Sequence, residues 1–118
     1  MREESILKKK SYEFAIQIVK LYQHLVEYKK EHVLSKQLLR SGTGIGALIR
    51  EAEFGQSKAD FISKMSIALK EANESAYRLD ILKDTEYINQ LDYTRLRTMC
   101  TEIIKILVSS IKTLKSKK

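Results

Sequence analysis

Apolar residues recur at helical spacing along four segments of the chain. In the first segment Phe14, Ile18, Leu21 and Leu25 are separated by three or four residues, which is the period of a helix that buries one face. No segment shows the strict alternation of a half-buried strand. The pattern therefore predicts four amphipathic helices, over residues 11–30, 34–54, 57–84 and 92–115.

Three polar residues mark the expected starts of helices. Ser11, Ser57 and Asp92 each stand at the beginning of a periodic segment. Their side chains are of the kind that accepts a hydrogen bond from a free N–H of the first helical turn. We therefore expect each of them to be an N-cap.

Glycines lie in the middle of the second segment. Gly42, Gly44 and Gly46 each disfavour a helix by about 1 kcal/mol relative to alanine. Gly42 and Gly46 are four residues apart and therefore share one helix face. We expect the helix to continue through them and to make a close contact with another backbone on that face.

Four amphipathic helices with short connections pack most simply as an up-down-up-down bundle. The 118 residues suit one domain, so we predict a single all-α domain over residues 1–118 that ends in a lysine-rich tail, 115–118. The first and last helices carry more apolar surface than one bundle interior needs, which indicates an oligomer. The candidate interface residues are Val19, Tyr22, Val26, Ile104 and Val108.

The chain is strongly basic. It has 22 lysine and arginine residues against 15 acidic ones, a formal net charge of +7. This balance favours nucleic acid as a partner over a membrane surface, and a soluble protein with surplus lysine is the remaining alternative. No apolar run is long enough to cross a bilayer and no secretory signal is apparent, so we expect a cytoplasmic protein without a membrane partner.

Basic residues of the second helix fall on one face, and others gather at the chain end. Arg40 is alternatively held by an acidic neighbour, Glu71 or Glu74, and the lysines are alternatively a solvated surface. Few aromatic residues are available for stacking on bases, so we expect little sequence specificity. The candidate nucleic-acid-binding residues are Lys36, Arg40, Arg50, Lys58, Lys112, Lys115, Lys117 and Lys118.

The residues give no support for catalysis. His24 and His32 are eight residues apart, about 12 Å along one helix, which is too far to share a metal ion. Cys100 lies on an apolar stripe, where a cysteine is usually a small buried hydrophobe. The glycines at 42–46 lack the Lys-Ser/Thr of a phosphate loop. We expect no enzymatic activity, no metal and no cofactor.

Two runs of the sequence carry a family resemblance: QLLRSGTGIGA at 37–47 and KADFISKMSIALKE at 58–71. They resemble the bacterial four-helix-bundle proteins first noticed as open reading frames in intervening sequences of 23S ribosomal RNA genes. The accessory variability determinant of diversity-generating retroelements is similar to the same proteins. The resemblance covers roughly residues 11–88.

The resemblance implies a bundle that assembles into a homopentameric ring. It also implies a role near RNA or near a reverse transcriptase. Nucleic-acid binding is therefore the leading hypothesis, and a scaffold or adaptor for a protein such as a reverse transcriptase is the alternative. Gly44, Leu48 and Arg50 depart from the serine, asparagine and glutamate expected of that family.

Overall fold

Four helices make up nearly all of the chain. The structure is a computed structural model that describes residues 2–117, with side chains from Ser5 onward. Within that range there is no strand, which confirms the all-α prediction. The helices are α1 (Arg2–Tyr28), α2 (Leu34–Glu53), α3 (Lys58–Asp84) and α4 (Gln90–Ser116).

The helices pack around one elongated core. Helices that are consecutive in the chain pack against each other, and α4 closes the bundle by packing on α1. The molecule measures 50 × 21 × 19 Å, so all four helices run along its length. The largest fully buried side chains, which form this core, are Leu7, Phe14, Ile18, Leu25, Leu38, Ile45, Ile49, Met65, Leu79, Leu82, Leu96 and Ile103.

Helix α1 begins at Arg2, so the predicted start at residue 11 is wrong. Ser11 is fully buried in the middle of the helix, and its hydroxyl donates to the Lys8 carbonyl at 3.3 Å. Leu7 extends the buried stripe one turn earlier. Ser11 is therefore a small core residue at a helix contact and not an N-cap.

Of the other two predicted N-caps, one is confirmed and one is wrong. The Ser57 hydroxyl accepts from the Asp60 N–H at 3.0 Å, which confirms Ser57 as the N-cap of α3. Helix α4 starts earlier than predicted, and its N-cap is Asn89, whose side chain accepts from the Asp92 N–H at 2.8 Å. The prediction for Asp92 is therefore wrong. Its carboxylate lies in the first turn, where a negative charge favours the helix.

Helix α2 runs unbroken through its three glycines, as predicted. A Cβ atom added at Gly42 would lie 2.9 Å from the Cγ2 atom of Ile18 on α1. One added at Gly46 would lie 3.2 Å from the Ser11 hydroxyl. Gly44 faces α3 instead, where an added Cβ would meet the Glu71 carboxylate at 3.4 Å. Two of the glycines thus allow α1 and α2 to approach closely.

Glu31 stabilises the start of α2 in a way that the sequence analysis did not predict. Its carboxylate accepts from the backbone N–H groups of Val33, Leu34 and Ser35 at 3.0, 3.0 and 2.7 Å. These groups have no partner within the helix. Burial opposes ionisation of Glu31, but the backbone N–H donors and the Ser35 hydroxyl outweigh it and lower the pKa of the carboxyl below its ordinary value. Glu31 therefore caps α2 although it stands two residues before the N-cap position, Val33.

We expect Gly42→Ala to destabilise the bundle and Gly44→Ala not to. Overpacking against the branched Ile18 side chain costs about 1–3 kcal/mol, which exceeds the gain of about 1 kcal/mol in helix propensity. The alanine at 44 meets only a flexible carboxylate and keeps that gain. Urea unfolding of both variants measures the difference. A Gly42→Ala protein as stable as Gly44→Ala would contradict the close contact.

We expect Glu31→Gln to lower the free energy of unfolding by about 1–2 kcal/mol at pH 7, as loss of a cap does. Because the pKa is lowered on folding, the carboxylate stabilises the protein above its unfolded pKa, and this contribution is lost as pH falls through the folded pKa. The variant and the wild type should therefore differ less in urea unfolding at pH 3. Glu13→Gln, at an exposed glutamate, is the matched control and should show a smaller loss at pH 7.

Candidate functional site

Lysines from two helices meet at one end of the bundle. At this end α1 and α3 begin and α2 and α4 end, as the contact between Lys8 and Glu53 shows. Lys58 opens α3, and its ammonium group donates to the main-chain carbonyl of Lys117, just beyond α4. We call this part of the molecule the basic end and define it by four exposed residues, Lys58, Lys112, Lys115 and Lys117.

The basic end has few neutralising groups. Residues 103–118 contain five lysines and no acidic residue. Within residues 5–117, no side-chain carboxylate lies within 4.0 Å of a basic-end ammonium group. By contrast, the ammonium of Lys8 lies 2.8 Å from Glu53, and that of Lys10 lies 3.5 Å from Glu102. Lys8 and Lys10 of α1 therefore have acidic partners, whereas the basic-end lysines have none among residues 5–117.

The structure thus brings four of the predicted binding residues together. Lys58 is joined to the chain end by its hydrogen bond, and Lys112 and Lys115 precede that point on the same helix. Lys118 lies outside the described residues. These lysines therefore lie at the end of the bundle where α3 begins and α4 ends.

The remaining three predicted residues form a row along α2, which we call the helix-2 row: Lys36, Arg40 and Arg50. All three are exposed. Fourteen residues separate the first from the last, so the row is about 21 Å long. The guanidinium group of Arg50 points toward α1, where it lies over the ring of Tyr12 at 5.7 Å from the centroid.

Arg40, in contrast to Arg50, lies on the side of α2 that faces α3, close to acidic residues of that helix. Burial raises the pKa of the Glu71 carboxyl, the adjacent Glu74 carboxyl raises it further, and Arg40 and Lys70 act in the opposite direction. An acidic neighbour for Arg40 was one of the alternatives left open by the sequence. Part of the positive charge of Arg40 is therefore offset within the chain.

The five predicted interface residues fall on two opposite flanks of the bundle. The outer row of α1 consists of Val19, Tyr22 and Val26. It lies on the same side of α1 as Tyr12, and this side is next to α2 because Arg50 of α2 lies over the Tyr12 ring. Ile104 and Val108, the outer row of α4, follow Cys100 at four-residue steps on the side toward α3. The two rows are therefore not in contact within one chain.

The outer rows are only partly exposed. Val19 keeps 36% of its surface accessible, and the other four residues are half-buried. Ile104 packs in part against the core. Each row thus supplies a narrow apolar strip.

The aromatic residues that could stack on bases differ in exposure. Tyr12 and Tyr28 are 56% and 68% exposed. Tyr93 is half-buried instead, and its hydroxyl donates to Asp80 at 2.6 Å. The sequence analysis missed Phe54, at 80% exposure. It stands directly before a glycine at the predicted end of α2, and that neighbour was the one available sign of a turn.

Cys100 and His24 lie in different surroundings. Cys100 is fully buried, its Sγ lies 3.2 Å from the Ala72 carbonyl, and burial raises the pKa of its thiol to about 11. The ring of His24 lies 5.3 Å from that of Tyr28 on the surface. In the part of the chain that the structure describes, no three metal-ligating side chains cluster. None of the helices formed there is long and apolar enough to span a membrane.

Sequence comparison agrees with this architecture. The sequence model of the 23S rRNA-intervening sequence proteins matches residues 3–109. The chain belongs to the 23S rRNA-intervening sequence protein family. The match confirms the resemblance carried by residues 37–47 and 58–71 and extends it into α4. No curated protein matches the chain.

A solved structure supports the same assignment. It is the crystal structure of a protein of unknown function from the S23 ribosomal protein family of Bacteroides thetaiotaomicron VPI-5482. The two proteins are 56% identical, with a TM-score of 0.92. The alignment covers 93% of this chain and 98% of that one. The four-helix arrangement is therefore shared over almost the whole length of both chains.

Proposed function

We propose that this family member is a non-enzymatic, oligomeric protein that binds nucleic acid through phosphate contacts at its basic end. The observation that carries the proposal is the hydrogen bond from Lys58 to the carbonyl of Lys117. It joins the start of α3 to a chain end that has lysines and no acidic residue. RNA is the favoured ligand because the family is named for intervening sequences of ribosomal RNA.

Lysine ammonium groups without carboxylate partners suit phosphates. Each phosphate that they neutralise releases condensed counterions, which supplies a favourable entropy. Lys115 in the last turn of α4 and Lys117 just beyond it are both exposed, and their side chains can follow an irregular strand. Such contacts fix position and carry no base information, so little sequence preference follows.

The helix-2 row is a second source of positive charge along the flank of the bundle. The planar guanidinium group of arginine matches the geometry of a phosphate. In this row, however, Arg50 already lies over Tyr12 and Arg40 lies near Glu71. We assign the row an auxiliary part in binding. A strand held at the basic end meets it by extending along α2.

Assembly into a ring is the second part of the proposal. A twofold dimer joins the same patch on both subunits, whereas two different patches on opposite flanks join head to tail. The outer rows of α1 and α4 are such a pair, and head-to-tail contacts form a ring when the rotation between subunits closes. Five subunits are the number implied by the family resemblance.

A ring would multiply the basic end. Cyclic symmetry places equivalent ends of all subunits on the same face of the assembly. Several basic ends would then contact one strand, and the linked contacts would bind more tightly than a single one. A scaffold for a protein such as a reverse transcriptase is the competing function, and it requires no nucleic-acid affinity.

We expect the wild-type protein to bind RNA with an affinity that falls steeply with salt, measured by fluorescence anisotropy against RNA, single-stranded DNA and duplex DNA. In Lys115→Gln/Lys117→Gln, the log–log salt slope on single strands should flatten by up to about 1.4, since each phosphate contact contributes about 0.7. Lys20→Gln/Lys29→Gln removes the same charge from exposed positions away from the basic end and is the control.

Three results would count against this binding site. An equal effect of both double variants would mean that net charge alone matters. A loss confined to Arg40→Gln/Arg50→Gln would move the site to the helix-2 row. No binding to any nucleic acid at low salt would favour the scaffold.

We expect light scattering to return an oligomer, five times 13.7 kDa for the ring. Val19→Lys and Val108→Lys each damage one outer row, so each variant alone should be monomeric, because a buried lysine without a partner is costly. A mixture of the two retains one intact pairing and should stop at a dimer. Val33→Lys, at a 66% exposed residue on neither row, is the control and should assemble normally.

The mixing experiment separates head-to-tail from twofold contacts. If one of the two variants alone formed a stable dimer, the surviving row would pair with itself. Wild-type protein that is monomeric at micromolar concentration would contradict assembly altogether.

A further inference from the structure

Phe54 is a large aromatic side chain that the fold leaves in solvent. It is 80% exposed, the highest value among the exposed large apolar residues of the described chain. It is the residue at which α2 ends, in the turn that leads to α3. Phe61, the other aromatic side chain near this turn, packs against the core instead. The exposure of Phe54 therefore calls for an explanation of its own.

The turn that carries Phe54 is held firmly. The Phe54 N–H donates to the Glu51 carbonyl at 3.1 Å, and the Gly55 N–H donates to the Ala52 carbonyl at 3.0 Å. On the far side, the Asp60 carboxylate accepts from the Gln56 N–H at 3.2 Å. The backbone on both sides of the ring is thus fixed by hydrogen bonds.

Gly55 shows how tightly this turn is wound. A Cβ atom added there would lie 3.1 Å from the Ala52 carbonyl oxygen and 3.2 Å from the Asp60 carboxylate. The turn therefore folds back on α3 with no room for a side chain at its centre. The neighbouring Phe54 side chain is presented outward from a fixed backbone, so little backbone entropy is lost when a flat partner covers it.

The ring shares its end of the bundle with the lysines. Lys58 begins α3 four residues after Phe54, and its ammonium group bonds to the carbonyl of Lys117. Leu114 and Lys58 line a cavity of about 270 Å³ with Gly55, so the last turn of α4 lies against the turn that carries the ring. The exposed aromatic ring and the lysines of the basic end therefore lie at the same end of the bundle.

This combination fits a strand with unpaired bases. Lysines hold the phosphates, and an aromatic ring stacks on a base whatever its identity, because every base has a π face. A duplex offers no free base face except at its ends. A membrane is a poorer match, since a single apolar side chain with some lysines gives only weak and reversible insertion.

We propose that Phe54 is a stacking platform for an unpaired base of single-stranded nucleic acid whose phosphates are bound by the basic end. This inference rests on the proposed nucleic-acid binding and adds to it a preference for single strands over duplexes. Phe54 contributes a contact that is independent of charge. Its effect is therefore separable from that of the lysines by its salt dependence.

The test compares Phe54→Leu with the wild type on a labelled oligoadenylate, alone and annealed to its complement. Leucine keeps an apolar side chain and removes the ring. We expect single-strand affinity to fall by about five- to a hundredfold, as loss of one base–aromatic stack does, with duplex affinity unchanged. The salt slope should stay that of the wild type, in contrast to the lysine variant.

Two further variants make the result specific. Phe54→Tyr retains a ring and should retain affinity. Leu91→Ala changes a residue of equal exposure, 79%, at the other end of the bundle and should have no effect. Circular dichroism and light scattering of each variant show whether fold and assembly are intact.

The outcomes separate this inference from the proposed function. If wild-type protein binds and Phe54→Leu binds equally well, stacking is wrong and the phosphate site stands. An equal loss on single strand and duplex, or a change of oligomer mass, would overturn stacking by making Phe54 a subunit contact. Phe54-dependent binding to vesicles of phosphatidylcholine and phosphatidylserine, with no effect on oligoadenylate, would overturn it in favour of a membrane. No binding of the wild type to any nucleic acid would overturn both proposals.

Discussion

The close approach of α1 and α2 is the constraint on which the rest of the bundle depends. It exists because Gly42 has no side chain where Ile18 packs and because Gly46 lies against the small Ser11. A buried hydrogen bond at 2.9 Å between Ser41 and Ser75 continues the small-residue packing on the α3 side of the same helix. Helix α2 is thus held closely on both sides, and α4 completes the core with larger side chains. The distance between α1 and α2 also decides which residues of their shared flank remain outside, among them the pair of Arg50 and Tyr12.

Much of this fold can be predicted from periodicity, because each helix buries one regular stripe. The errors occur where one residue type serves two purposes. Serine caps helices and also fits between closely packed helices, so the sequence does not distinguish a cap at Ser11 from the buried helix contact that it makes. The first turns of α1 show no helical period in the sequence, since Ile6 and Leu7 are adjacent and are flanked by polar and charged residues. Asn89 and Asp92 are both good caps, and only the backbone geometry distinguishes them.

The candidate site was less predictable than the fold, and the reason is register. The sequence shows that lysines accumulate near the chain end, but the contact between Lys58 and Lys117 depends on how α3 and α4 align. The offset of Arg40 by Glu71 depends in the same way on the alignment of α2 and α3. An apolar residue at the end of a periodic segment is ordinarily assigned to the core, and this is why the exposure of Phe54 was not foreseen.

The separation of charge along the bundle has a consequence for encounter kinetics. Residues 71–102 carry four basic and seven acidic side chains, and they occupy the second half of α3 and the first half of α4, away from the basic end. A molecule 50 Å long whose net positive charge is gathered toward one end has an electric dipole along its axis. The field of a polyanion turns such a molecule before contact, so that its positive end leads. Collisions in the wrong orientation become rarer, and the association rate constant then decreases as added salt shortens the range of that field.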